Sequence, residues 1–277
     1  MRIDRGVEMN PGDVVPLSFQ MALVTLSFVI AFLGAYVALS AAARIRLSVQ
    51  FGDSWRGFVV VGAVAMGGIG IWGMHFIGMQ AQYLPFDVTY SLGLTILSAL
   101  VAIGFSAAAF LYVGGKPFSL MRCLVAGVTV GLAVAAMHYI GMSAIHMPAV
   151  FRWNGSLVAL SVLIAILAAT VAIWLAFNVQ REWQRVAAAG VMAVAICGMH
   201  YTGAAAGVVV CRAALDPAEA GLVGGASLPY VAFAGAVAIL IAMRWQMHRS
   251  YKDYQLRMAA RVDDLLGSNS RPAGPTA

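Results

Sequence analysis

Seven apolar runs of about 20 residues settle what this chain can become before any single residue is weighed. They fall at about 17–40, 58–80, 90–113, 121–145, 156–178, 186–210 and 228–247. A helix of that length, rising 1.5 Å per residue, reaches across the roughly 30 Å hydrocarbon layer of a bilayer. Turn-forming segments separate the runs: FGDSW at 51–55, LPFD at 84–87, GGKP at 114–117, RWNGS at 152–156 and a DPAEAGLVGG stretch from Asp216. The chain has 277 residues, of which 62% are hydrophobic and only 10% charged. Its mean hydropathy of +0.87 lies outside the soluble class. The runs are too many and too evenly spread for a signal peptide. The expected fold is all-α, an integral membrane bundle of seven transmembrane helices.

The net charge of +6 does not indicate a nucleic-acid partner, because the basic residues sit in the gaps between the runs. One side would hold Arg2, Arg5, Arg152 and Arg212. The other thirteen Lys and Arg fall on the opposite side, six of them from Arg244 onward. The positive-inside rule then puts the amino terminus outside and the carboxyl terminus in the cytoplasm. Residues 1–16 form an extracytoplasmic arm, 17–247 the membrane domain and 248–277 a cytoplasmic tail. In the tail Tyr251, Tyr254, Met258, Val262 and Leu265 keep helical spacing, which predicts a continuation of the last helix. The segment SNSRPAGPTA that follows Gly267 is predicted to be disordered. Cys123, Cys197 and Cys211 lack metal-type spacing and read as small apolar residues.

Within the greasy runs one short pattern occurs three times. GMHFIGM stands at 73–79, AMHYIGM at 136–142 and GMHYTGA at 198–204. His75 and His138 are 63 residues apart, and His138 and His200 are 62 apart. That period fits a pair of membrane helices with their loops. The chain therefore reads as a threefold repeated helix pair, with the first or the seventh helix left over. The three histidines fall toward the same end of alternate helices and should share one depth near the outer face. Residues four apart share a helix face, so His75 with Met79, and His138 with Met142, can each present nitrogen and sulfur together. His200 has Ala204 at the equivalent place. Met74, Met137 and Met199 precede their histidines by one residue, about 100° around the helix. Either they face a neighbouring helix or the helix is distorted near the following glycine. Gly78, Gly141 and Gly203 come three residues after each histidine, and either leave room beside a ring or mark a loosened turn. One such histidine would be a hydrogen-bonded interface residue, and one such methionine packing. Three equivalent sites point instead to a shared ligand-binding cluster. Tyr139 and Tyr201 either orient the histidines or join an aromatic belt with Trp72, Tyr83 and Tyr90. Gly127 and Gly131, and the glycines at 67, 68 and 70, are suited to close helix packing.

With three motifs in register on alternate spans, the chain resembles the MHYT domain family of bacterial integral membrane sensors. The resemblance covers nearly the whole chain, roughly from the first helix to the seventh. It implies a bacterial inner-membrane protein that binds copper through its Met and His side chains and senses oxygen, carbon monoxide, nitric oxide or redox state. It also implies a cytoplasmic signalling partner, since relatives carry an output domain after the membrane part and this chain stops before one. The donor chemistry agrees independently. Thioether with imidazole suits copper, especially Cu(I), whereas zinc prefers thiolate, imidazole or carboxylate and magnesium or calcium need oxygen. The metal-ligating candidates are His75, His138, His200, Met79 and Met142, with Met74, Met137 and Met199 behind them.

Other readings fit the same residues: a copper store, chaperone or permeation route without signalling, or a structural membrane subunit. His146, eight residues after His138, reads as a loop histidine, and His248 lies on the opposite side from the motifs. No lysine in the seventh run could carry a retinal, and the runs as delimited contain no Asp or Glu for driven transport. No P-loop, Gly-x-Ser-x-Gly or HExxH motif suggests an enzyme.

Overall fold

The computed structural model of the chain describes residues 10–212, 222–223 and 228–269. Part of the expected amino-terminal arm, most of the Gly-rich stretch from Asp216 and the segment 270–277 lie outside the described residues, as do the side chains of Tyr254 and Leu265. Helices dominate: α1 Met21–Phe51, α2 Arg56–Ala81, α3 Leu92–Gly114, α4 Leu120–Ser143, α5 Gly155–Asn178, α6 Glu182–Ala206 and α7 Leu228–Asn269. Among the described residues, α1 to α6 are long and apolar enough to cross a membrane. The architecture is an all-α membrane bundle. α7 continues unbroken past residue 248, as the spacing of its apolar residues predicts.

The first six helices close into a ring. α1 packs on α2 and α6, and each of α3, α4 and α5 packs between its chain neighbours. α7 lies outside the ring, against α1 and α2. Burial follows this arrangement. Half of the apolar window of α1 and of α2 is buried, against 17% for α3 and 22% for α5, whose Leu100 and Leu163 face outward.

Small residues let the ring close, because lipid supplies no hydrophobic drive between helices and backbones must approach for dispersion to act. A methyl group on Gly34 would collide with the backbone at Gly70 and Ala65, and one on Gly67 with Ala102 and Ile103 of α3. Gly127 and Gly131 seat α4 on Thr170 and Ile166 of α5. The middle of α2, Val64–Gly73, winds as a π-helix, and Met74–Ala81 is regular α-helix. The distortion thus precedes the first motif instead of following its histidine. It falls where Gly67, Gly68, Gly70 and Gly73 remove the side chains that stiffen a normal turn. At the start of α5 the Asn154 side chain accepts from the amides of Ser156 and Leu157 at 3.1 and 3.2 Å, which caps the helix.

Among the described residues five short strands, which hydropathy does not predict, cover the ends of the motif helices. They are β1 Thr89–Ser91, β2 Ile145–His146, β3 Ala149–Trp153, β4 Gly207–Cys211 and β5 Leu222–Val223. β1 pairs antiparallel with β2 and β5, and β3 with β4. The expected span at 186–210 is corrected by this cap. α6 ends at Ala206, and the β-branched run Val208–Val210 bonds to β3 instead of continuing the helix. Residues 12–20 lie over the same end, bonded to β4 and to the end of α2. Only Ala144 separates α4 from β2, and α6 runs straight into β4, so the cap ties the motif helices together.

Candidate metal centre

His75, His138 and His200 project from α2, α4 and α6 toward one point inside the ring, and each is at most 1% exposed. His75 Nδ1 stands 3.0 Å from His200 Nδ1 and 3.1 Å from His138 Nδ1, and one ring nitrogen from each histidine lies within 4.8 Å of the others. The rings meet edge to face, with centroids 4.8–5.2 Å apart.

The glycines after the histidines explain how three rings fit. A methyl group on Gly141 would collide with Nε2 of His75, one on Gly203 with Nε2 of His138, and one on Gly78 with Nε2 of His200. Each glycine makes room for the imidazole of another motif helix, not its own. The relation runs around all three helices, so the site has a cyclic design.

Hydrogen bonding among the three rings is incomplete. A neutral imidazole carries one donor and one acceptor. His75 Nδ1 faces two other Nδ1 atoms, so a single N–H there leaves one lone pair facing another. All three Nε2 atoms are buried, and those of His138 and His200 face the backbone of Gly203 and Gly78. These atoms point at the glycines of neighbouring helices, away from the shared Nδ1 point, so it is the crowded Nδ1 lone pairs that leave a place for a ligand. Nitrogens held roughly 2.0–2.1 Å from one ion stand about 3.3–3.5 Å apart, so the two spacings from His75 Nδ1 need only open by a few tenths of an ångström. The residues therefore fit a transition-metal ion on the Nδ1 side.

The methionines fall into three places. Met79 and Met142 share a buried cluster with Tyr90, fringed by Phe76, Ile145 and Phe151. Met74 and Met137 sit in the central core with Ile77 and Ile196, and Met199 packs with Ala135 and Ala165. The leading methionines thus pack against neighbouring helices. Tyr90 is 5% exposed and does not belong to an aromatic belt. Strand β1 carries it under the cap, and burial pushes its phenol pKa up, so it stays neutral. His146 is half-buried in β2, opposite Thr89, and His248 is exposed on α7.

Three serines complete the surroundings. Tyr139 and Tyr201 bond neither to their own nor to another histidine. Tyr139 Oη lies 2.6 Å from Ser161 Oγ, and Tyr201 Oη 2.9 Å from Ser27 Oγ. Each serine donates its own hydrogen to the carbonyl three residues back, so the tyrosine is the donor between helices. In the first motif Phe76 has no hydroxyl. Trp72, one turn earlier, donates Nε1–H to Ser98 Oγ at 3.0 Å instead, while Ser98 donates to Thr95. Ser27, Ser98 and Ser161 are each fully buried. Ser98 and Ser161 each stand 23 residues after their histidine, a spacing visible in the sequence. Ser27 precedes all three motifs, so no repeat could have revealed it.

A family model described as the bacterial signalling protein N-terminal repeat, MHYT, matches residues 68–126 and 131–189. The chain is 41% identical over 194 residues to the bifunctional diguanylate cyclase/cyclic di-GMP phosphodiesterase MucR of Pseudomonas aeruginosa, covering 68% of this chain and 28% of that protein. It is 32% identical over 286 residues to the cyclic di-GMP phosphodiesterase NbdA of the same organism, covering 92% of this chain and 36% of NbdA. It is 28% identical over 196 residues to the signalling protein YkoW of Bacillus subtilis, covering 68% of this chain and 24% of YkoW. The chain spans about a third or less of the length of these relatives. No solved structure matches it.

Proposed function

We propose a function from one premise: the chain belongs to the MHYT family of bacterial signalling proteins. It is a multi-pass membrane protein, and its role in this proposal is that of a sensor domain without a catalytic step. We propose that it sits in the bacterial inner membrane with seven spans, amino terminus outside and carboxyl terminus in the cytoplasm, the orientation that the charge distribution favours. The ring contacts support a threefold repeat of helix pairs α2–α3, α4–α5 and α6–α1, which makes α7 the helix left over and the route to a cytoplasmic signalling partner.

In this reading His75, His138 and His200 hold a copper ion through Nδ1. Met79 and Met142, one turn further along their helices, are the thioether donors. His75 Nδ1, at 3.0 Å and 3.1 Å from the Nδ1 atoms of His200 and His138 in a fully buried site, carries the proposal. Bound Cu(I) would supply a soft centre able to take a diatomic ligand such as oxygen, carbon monoxide or nitric oxide. The protein's own groups do the rest. The glycines fix the ring planes, the Tyr–Ser bonds hold the helices in register, and the buried cluster around Tyr90 keeps bulk water out. A ligand shifts the bundle only if it binds two packings unequally, so the sensor needs a second arrangement of the ring.

The test is metal analysis of the purified chain loaded anaerobically with Cu(I), beside His75→Ala, His138→Ala and His200→Ala. One copper per chain is expected, with at least a tenfold loss of affinity in each variant. Copper retained at full occupancy when all three histidines are replaced sinks the proposal.

A further inference from the structure

Directly inward of the triad the ring holds a partly open apolar cavity of about 110 Å³, lined by residues of all six ring helices. We infer that this cavity is a binding site for a small apolar molecule of diatomic size, and the path by which such a molecule reaches the triad.

Position comes first. Ile71, Val134 and Ile196 line the cavity, and each stands four residues before a motif histidine. Four residues are about 6 Å of helical rise, so the cavity begins about one turn below the rings. Its far end is marked by Arg46, whose guanidinium donates to the carbonyls of Ala176 and Val179 at the end of α5. The other approach to the triad is roofed. Met79, Met142 and Tyr90 are each at most 5% exposed beneath the strands.

Chemistry and size then select the occupant. Ser106 and Arg46 are the polar side chains of the lining, and Arg46 is already engaged with backbone carbonyls. A buried water needs two to four polar partners, so the space favours an apolar guest. An engineered apolar cavity of roughly 150 Å³ stays dry and holds benzene or xenon. At about 110 Å³ the present cavity is smaller, with room for xenon or a diatomic. Nine of its 25 lining residues are alanine, so the space exists because small side chains stand where larger ones would close it. An apolar gas concentrates in the bilayer, next to this route, and has no need to cross the cap.

The delivery role rests on the proposed metal centre; the binding site does not. Xenon is therefore the first probe. Saturable xenon binding by the purified chain, followed by ¹²⁹Xe NMR, is expected, and Ala169→Leu on α5 should abolish it. Ala195→Leu on α6 serves as a second filling variant should the first misfold. In copper-loaded protein, both variants should keep full copper occupancy while carbon monoxide associates at least tenfold more slowly. Saturable xenon binding without any copper keeps the cavity site and removes the metal reading. Three results overturn the inference: no saturable xenon binding, xenon binding unchanged in both folded variants, or an acyl chain found by mass spectrometry to co-purify with the wild type and not with the filled variants.

Discussion

At the scale of single residues, the glycine after each histidine shapes the site as much as the histidine does. Gly203→Ala should raise local helix propensity by about 1 kcal/mol. The new methyl would meet the ring of His138, and overpacking of this kind costs about 1–3 kcal/mol, so the net effect is destabilising. The expected readout is a lower unfolding temperature together with a loss of copper affinity of more than tenfold. A variant that binds copper normally would separate the glycine from the site. Met79→Leu and Met142→Leu ask a different question. Leucine nearly conserves the volume, so stability should change by less than about 1.5 kcal/mol. If the thioethers are donors, Cu(I) affinity falls at least tenfold with the fold intact; equal affinity would reduce both methionines to packing. The Tyr139–Ser161 bond can be weighed by a double-mutant cycle with Tyr139→Phe and Ser161→Ala. Bonds between membrane helices average about 0.6 kcal/mol and reach about 1.7, so coupling in that range is expected from unfolding measurements. How legible these residues are follows from their repetition. The histidines and glycines recur in the sequence, so they can be found; which ring each glycine accommodates depends on the cyclic order of helices, which spacing does not encode. Phe76 hides the first member of the serine set, because the donor there moves one turn back to Trp72.

At the scale of elements, hydropathy reads the helices well and their ends poorly. α1 runs to Phe51, past the expected end of its apolar run, since Ala41, Ala42 and Ile45 remain buried beyond it. It stops at Gly52, which takes a left-handed φ of 72°. The strands escape a hydropathy reading because β1, β2 and β5 are two or three residues long and carry no alternation to detect. Their pairing is set by partners far along the chain. The cap on α5 is different, because Asn154 directly before a helix is a local signal. Asn154→Ala should cost about 1 kcal/mol, with typical values of 0.5–2, as the amides of Ser156 and Leu157 lose their acceptor. The check is faster hydrogen exchange confined to the first turn of α5, with copper binding unchanged. Protection left as in the wild type would show that the cap contributes nothing.

Across the whole molecule, what matters is how α7, outside the ring, could register an event at the triad. Chain connectivity suggests a direct link from α6 to α7, but the packing routes it through α1. Tyr36 on α1 donates its hydroxyl to Glu182 at the start of α6, while Arg244 of α7 lies 5.8 Å from the centre of the Tyr36 ring. Further along the same pair of helices, Arg44 of α1 stands 4.2 Å from the centre of the Tyr251 ring. His200 is on α6, so a shift of that helix on metal or ligand binding would pull on Tyr36 before it reaches α7. Energetic coupling of this kind must be demonstrated, because a chain of contacts is not itself evidence of transmission. The expectation for the wild type is that copper loading slows amide exchange in α7. Tyr36→Phe keeps the ring under Arg244 and removes the bond to Glu182. Copper occupancy should be unchanged in this variant, while the copper-dependent protection of α7 should fall by at least half. If α7 responds to copper as fully in Tyr36→Phe as in the wild type, the signal bypasses α1, and the contact of α7 with α2, which carries His75, becomes the route to test.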